Sequence, residues 1–138
     1  MNEFQKLQKL TGEINIANGW RESELAEVGT KERTHQDIVE LALIVTEASE
    51  AIEEIRESKP ELYYTARKTR PDLELTPEEA AEFEGLRFKP EGVRSELADV
   101  VIRAMDYADK RGYDLYVDIV DKLGYNKTRG YRHGGKVA

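Results

Sequence analysis

The sequence predicts an all-α protein, with four amphipathic helices and a long, partly helical connection in the middle of the chain. Three observations carry this prediction. Apolar residues recur at spacings of three and four in four separate stretches. Capping and stop residues flank those stretches. The 138 residues are 39% hydrophobic and 36% charged, a composition that suits helices with much exposed surface. A chain of this length reads as a single domain, 1–138, with a modest core.

The first helix covers residues 2–17, where Phe4, Leu7, Leu10, Ile14 and Ala17 form one stripe; Asn18 and Gly19 tolerate the backbone of a helix end. Trp20 follows at once, as an anchor in a core or interface or as a ring able to stack on a ligand base. The segment to Lys31 is polar, with a weak helical pattern from Glu22 to Val28. Thr34, with Asp37 three residues on, is a variant of the capping box, so the second helix is expected over 35–58 and is stopped by Pro60. With Leu41 at zero on a wheel of 100° per residue, Leu41, Ile44, Val45, Ala48, Ile52 and Ile55 fall between about −60° and +40°, the stripe of a core-facing helix. Glu40, Glu47, Glu50 and Glu54 form a second stripe with Leu43 in its middle. Like charges three and four apart repel by roughly 0.2–0.5 kcal/mol per pair, so a purely structural helix would more naturally intersperse Lys or Arg. Two readings stay open from this helix alone: Glu47 and Glu50 are ligands, or they solvate one face of a chain that has 28 acidic residues.

Residues 57–92 read as a connecting insert, because all four prolines (Pro60, Pro71, Pro77 and Pro90) lie there. Thr76-Pro77-Glu78-Glu79 is a strong helix start, opening a short helix to about Leu86. Tyr63, Tyr64 and the basic Arg67, Lys68 and Arg70 fall in the remainder, a connection long enough to carry function. The third main helix covers 93–111 and closes at Gly112. With Leu97 at zero, Val100, Val101, Ala104, Met105 and Ala108 widen the apolar arc to about −60° to +80°, and Ala98 and Ile102 extend it to about 140°. That breadth predicts burial on two sides, hence a homodimer or homotetramer. Glu96, Asp99, Arg103, Asp106 and Lys110 make the polar stripe. A last helix is expected over 113–125, with Leu115, Ile119, Val120 and Leu123 inward and Gly124 at its end. The tail, 126–138, is basic and rich in glycine.

A formal net charge of −7 argues against a nucleic-acid polymer or an anionic membrane as partner, since either needs a broad basic surface. The absence of cysteine excludes disulfides, thiolate nucleophiles and zinc–thiolate sites. MNEFQKLQKL has no apolar signal region and no run of about 18 apolar residues occurs, so a soluble, cytoplasmic protein is expected. Two helices each carry acids three apart, Glu47 with Glu50 and Glu96 with Asp99. Four carboxylates in one pocket would suit Mg²⁺ or Mn²⁺ better than Zn²⁺. A nucleoside triphosphate adds roughly four negative charges to such a site, so at least two divalent ions are expected in a productive complex. The run from Lys122 to Lys136 holds five Lys or Arg and His133, giving a cationic arm for phosphate or a solubilising tail. His35 and His133 are too isolated to be read as catalysts.

Three stretches, TEASEAIEEIRE (46–57), KPEGVRSELADVVIRAMDYA (89–108) and KLGYNKTRGYRHGGK (122–136), with NGW at 18–20 as weaker support, together resemble the MazG-type all-α nucleoside triphosphate pyrophosphohydrolases, in particular short phage-like members. The resemblance implies a four-helix core and Mg²⁺-dependent cleavage between the α- and β-phosphates, releasing a nucleoside monophosphate and pyrophosphate. It implies Glu47, Glu50, Glu96 and Asp99 as metal ligands, with Asp106, Asn126, Lys127 and Arg129 near the nucleotide and Trp20 as a further contact. The mechanism expected is in-line attack of water on the α-phosphorus, with Glu50 taking the proton and Lys127 and Arg129 neutralising charge. Glu40 and Glu54 receive no role beyond solvation. The departure from the family is the spacer, because 45 residues separate Glu50 from Glu96. An alarmone such as guanosine tetraphosphate, or a damaged nucleotide, is an alternative substrate. The alternative outside enzymology is a helical dimer that binds a nucleotide or protein without turning it over.

Overall fold

The computed structural model describes residues 1–21, 23–66 and 70–131. Glu22, the basic Arg67 and Lys68, the side chain of Arg70 and the stretch 132–138 with His133 and Lys136 lie outside the described residues. The element order is α1 (Glu3–Ala17), α2 (Lys31–Arg56), β1 (Tyr63–Ala66), β2 (Arg70–Leu75), α3 (Pro77–Ala81), β3 (Lys89–Glu91), α4 (Val93–Lys110) and α5 (Leu115–Thr128). The fold is therefore mostly helical but not all-α, because part of the expected connection is a three-stranded sheet. The chain forms two compact units, Ala26–Ala104, and Met1–Leu25 together with Met105–Ala138.

In the unit Ala26–Ala104, α2 begins four residues before the expected start. Thr30 is the N-cap, its side chain accepting from Arg33 N–H, and Gly29 turns the chain into it at φ +90°. Thr34, the expected cap, instead donates its hydroxyl to Thr30 O at 3.2 Å. The sheet has the order β2-β1-β3 and both pairings are antiparallel. Pro71 and Pro90 sit in its two outer strands, the positions in a sheet where proline is tolerated and discourages pairing with another chain. Along β1, Tyr63 and Thr65 are buried and stand opposite Glu91 and Lys89 of β3, so these four residues share one face of the sheet. The helix expected to reach Leu86 stops at Ala81, although its Thr76–Glu79 capping box forms as expected. Gly92 is the single residue between β3 and α4. It sits at φ +99°, and a Cβ there would lie 2.4 Å from Glu61 O.

The apolar stripes of α2 and α4, expected to face the core, are largely uncovered. Leu41, Val45, Ile52 and Ile55 of α2 and Leu97, Val101 and Ile102 of α4 are each 41–66% exposed. What this unit buries instead is Tyr63 and Leu75 of the sheet together with Glu47 and Glu96. Hydropathy marks a face that avoids water without saying which chain covers it.

In the other unit, α1 is closed by a capping box between Asn2 and Gln5 and ends at Asn18, with Gly19 at φ +80°. Its buried residues are Gln8, Thr11 and Gly12, whereas Leu7, Leu10 and Ile14 of the expected stripe are about half exposed. Gln8 Nε2 donates to Tyr113 O and Gln5 Nε2 to Asp114 Oδ2, both at 2.8 Å. Helix α5, capped by Asp114, runs through Gly124 to Thr128 instead of stopping there. Glycine in a helix interior costs about 1 kcal/mol relative to alanine, and that penalty does not end the helix here.

Candidate metal centre

Glu47 and Glu50 are three residues apart on α2 and so lie on one side of it. Glu96 stands in the first turn of α4, where its N–H donates to Gly92 O at 3.0 Å. Carboxyl oxygens of these three residues lie within 4.8 Å of one another. Glu47 and Glu96 are only 7% and 9% exposed, while Glu50 is exposed. Glu96 Oε2 is buried and makes no hydrogen bond.

Burying carboxylates together is unfavourable, and the three solve the problem unequally. Arg103 Nε donates to Glu47 Oε1 at 2.7 Å. Burial disfavours the charge of Glu47, yet the guanidinium and the neighbouring carboxyls outweigh it and hold Glu47 below the usual carboxylate range. Among the described residues no cation pairs with Glu96. Burial, then the contacts with Glu50 and Glu47, push it up to about 8, so at neutral pH it carries the proton of the cluster. Asp99 lies outside the close trio but is raised too, by burial and then by the charge of Glu47, against which Arg103 and Lys89 pull it down.

The cluster opens into a cleft of about 450 Å³. One side is α2 from Thr46 to Glu54 and its C-cap Glu57, with Glu96 in the first turn of α4, and the sheet contributes Lys89 and Glu91. Tyr63 of β1 fixes the sheet against the helix, its hydroxyl lying 3.1 and 3.0 Å from the two carboxylate oxygens of Glu54. Glu54 therefore has a structural partner that its place on the acidic stripe did not reveal. Burial and the contact with Glu54 raise the Tyr63 phenol above its ordinary range, which keeps it a donor.

A divalent ion fits the trio. Mg–O bonds of about 2.1 Å put opposite ligands about 4.2 Å apart, and larger ions somewhat farther, so oxygens within 4.8 Å need only small rotamer adjustments to close. The buried Glu96 oxygen without a partner is the kind of group that a cation would satisfy. A hard dication suits an all-carboxylate donor set, and it would take the place of the proton on Glu96.

The other predicted site residues belong to the unit containing both chain ends. Asp106 is held by Arg21, which also bonds Asp109 at 3.0 Å, and these contacts outweigh burial to raise the guanidinium above its normal value. Trp20 is 77% exposed, contrary to a place in a core. Asn126 and Lys127 are exposed on the last turn of α5, not in a tail, and Arg129 caps that helix with its guanidinium 5.6 Å over the Tyr125 ring. Arg103 and Lys89 were not singled out from sequence. Arg103 had a signal, standing four and seven residues beyond Asp99 and Glu96 on the same polar stripe. Lys89 had none, because strand pairing brings it to the cleft. No family model, curated protein or solved structure matches the chain.

Proposed function

We propose that this chain is a divalent-cation-dependent nucleoside triphosphate pyrophosphohydrolase of the MazG type. The observation that carries the reading is the buried, unpartnered oxygen of Glu96 beside Glu47 and Glu50, in a chain where Glu47-x-x-Glu50 and Glu96-x-x-Asp99 occur in that order. Bound Mg²⁺ or Mn²⁺ would grip phosphate oxygens and offset the charge of substrate and carboxylates. Glu47, Glu50 and Glu96 would hold the cation, with Arg103 fixing Glu47 and Asp99 a further ligand on the resemblance alone. Glu50, on the exposed side, takes a proton from the attacking water as its oxygen bonds to the α-phosphorus. The bridging oxygen leaves with pyrophosphate. Asn126, Lys127 and Arg129 stand as nucleotide contacts on the resemblance alone. The uncovered stripes of α2 and α4 support assembly into at least a dimer.

The test is a panel of canonical and modified nucleoside triphosphates and guanosine tetraphosphate, each with Mg²⁺, Mn²⁺ or EDTA. Metal-dependent release of monophosphate and pyrophosphate is expected from one of the triphosphates, and its loss in Glu50→Gln with nucleotide binding retained. Turnover of guanosine tetraphosphate alone would move the substrate class to alarmones. No product from any compound would leave a binding module.

A further inference from the structure

We infer that the three-stranded sheet is the substrate-binding wall of the cleft, and that Lys89 is its phosphate-contacting residue. This deepens the proposed function and rests on it. Among the described residues lining the cleft, six are glutamates and Lys89 is the one cation. A polyphosphate entering such a cleft meets repulsion everywhere except at a bound divalent ion and at this ammonium.

The position of Lys89 is built, not incidental. β3 pairs with β1 so that Lys89 stands opposite Thr65 and Glu91 opposite Tyr63. Tyr63 in turn is fastened to Glu54 of α2, which sets the sheet face against the acidic helix. The ammonium lies 2.9 Å from Glu91 Oε1, and its charge reaches Asp99. The Lys89–Glu91 pair is a resting contact. The Lys89 side chain is 43% exposed, and ion pairs exposed to water are weak. A polyphosphate presents several ionised oxygens and more negative charge than one carboxylate, so Lys89 exchanges Glu91 for it while the stem stays in place. Glu91, 12% exposed and facing the Thr65 hydroxyl at 3.5 Å, keeps its station.

The experiment is calorimetric titration of the full chain with inorganic tripolyphosphate in the presence of Mn²⁺, preceded by Mn²⁺ alone. Lys89→Ala should bind Mn²⁺ at least as tightly as the wild type and weaken tripolyphosphate by about tenfold, the effect of one charge-assisted hydrogen bond. Lys89→Arg should restore most of it, and Glu91→Gln, which frees the ammonium, should bind tripolyphosphate at least as tightly as the wild type. Where a nucleotide is turned over, Lys89→Ala should raise KM more than it lowers kcat. Wild-type binding with unchanged affinity in Lys89→Ala overturns this inference alone. A wild type that binds Mn²⁺ but no tripolyphosphate overturns the pyrophosphohydrolase reading and this one with it. Weaker binding in Glu91→Gln would show the pair to be structural and would also count against Lys89.

Discussion

Glu96→Gln keeps the shape of a buried side chain and removes its titration. In the metal-free protein the folded state holds a proton on Glu96 up to about pH 8, whereas a glutamate with the ordinary value of 4.5 releases it near that pH. The folded state thus binds more protons across that window, and its stability falls as pH rises, by about 1.4 kcal/mol per unit. The full window corresponds to an upper bound of about 5 kcal/mol, of which entry of water and side-chain relaxation leave only a part. Glu47 acts elsewhere: its stabilising charge is lost only as pH falls below 4.5. Urea unfolding in EDTA at pH 5, 7 and 9, followed by circular dichroism, separates the two forms. The wild type should lose stability between pH 5 and 9, while Glu96→Gln stays nearly flat and is the more stable form at pH 9. Mn²⁺ should then rescue the wild type at pH 8 and the variant far less. A wild type with constant stability from pH 5 to 9, or a variant less stable than it at pH 9 in EDTA, would refute the charge assignment.

Gly92→Ala forces a side chain onto a left-handed backbone and against Glu61 O, so thermal unfolding should show a loss of about 3 kcal/mol or more together with weaker Mn²⁺ binding. Gly124→Ala is the opposite case, since Gly124 is helical with nothing within 4 Å of an added Cβ; a gain of about 1 kcal/mol in urea unfolding is expected, with Mn²⁺ binding unchanged. Light scattering at micromolar concentration should give at least a dimer, and Leu97→Glu with Val101→Glu should shift it toward monomer; a wild-type monomer would contradict the oligomer inference.

The helices were legible because their signals are local. The 3.6-residue period fixed α2 and α4, and the Glu47–Glu50 and Glu96–Asp99 pairs could be placed on faces by counting alone. The direction of those faces was not legible. Leu41 and Leu97 read as inward, yet 46% and 60% of them is exposed, and the buried positions fall to Glu47 and Glu96. The amphipathic pattern is the same whether an apolar face meets its own chain or another. The sheet was missed for a different reason. Tyr63-Tyr64-Thr65-Ala66 is short, Pro71 and Pro90 argue locally against strands, and the pairing of Lys89 with Thr65 depends on residues 24 apart. Gly124 misled in the other direction, because a single glycine lowers helix propensity without abolishing it.

Gly92 alone separates β3 from α4, so seven positions couple the orientation of Lys89 to that of Glu96. Adding or removing one residue in this tether would turn Lys89 to the opposite side of the sheet or rotate Glu96 by about 100° around its helix. Substitutions at exposed positions of the tether, such as Arg94, leave both directions intact. Length variation is therefore expected to be tolerated after Leu75, and to be lethal to the cleft between Lys89 and Glu96, where Glu61 O also packs against Gly92 and accepts from Arg94 N–H.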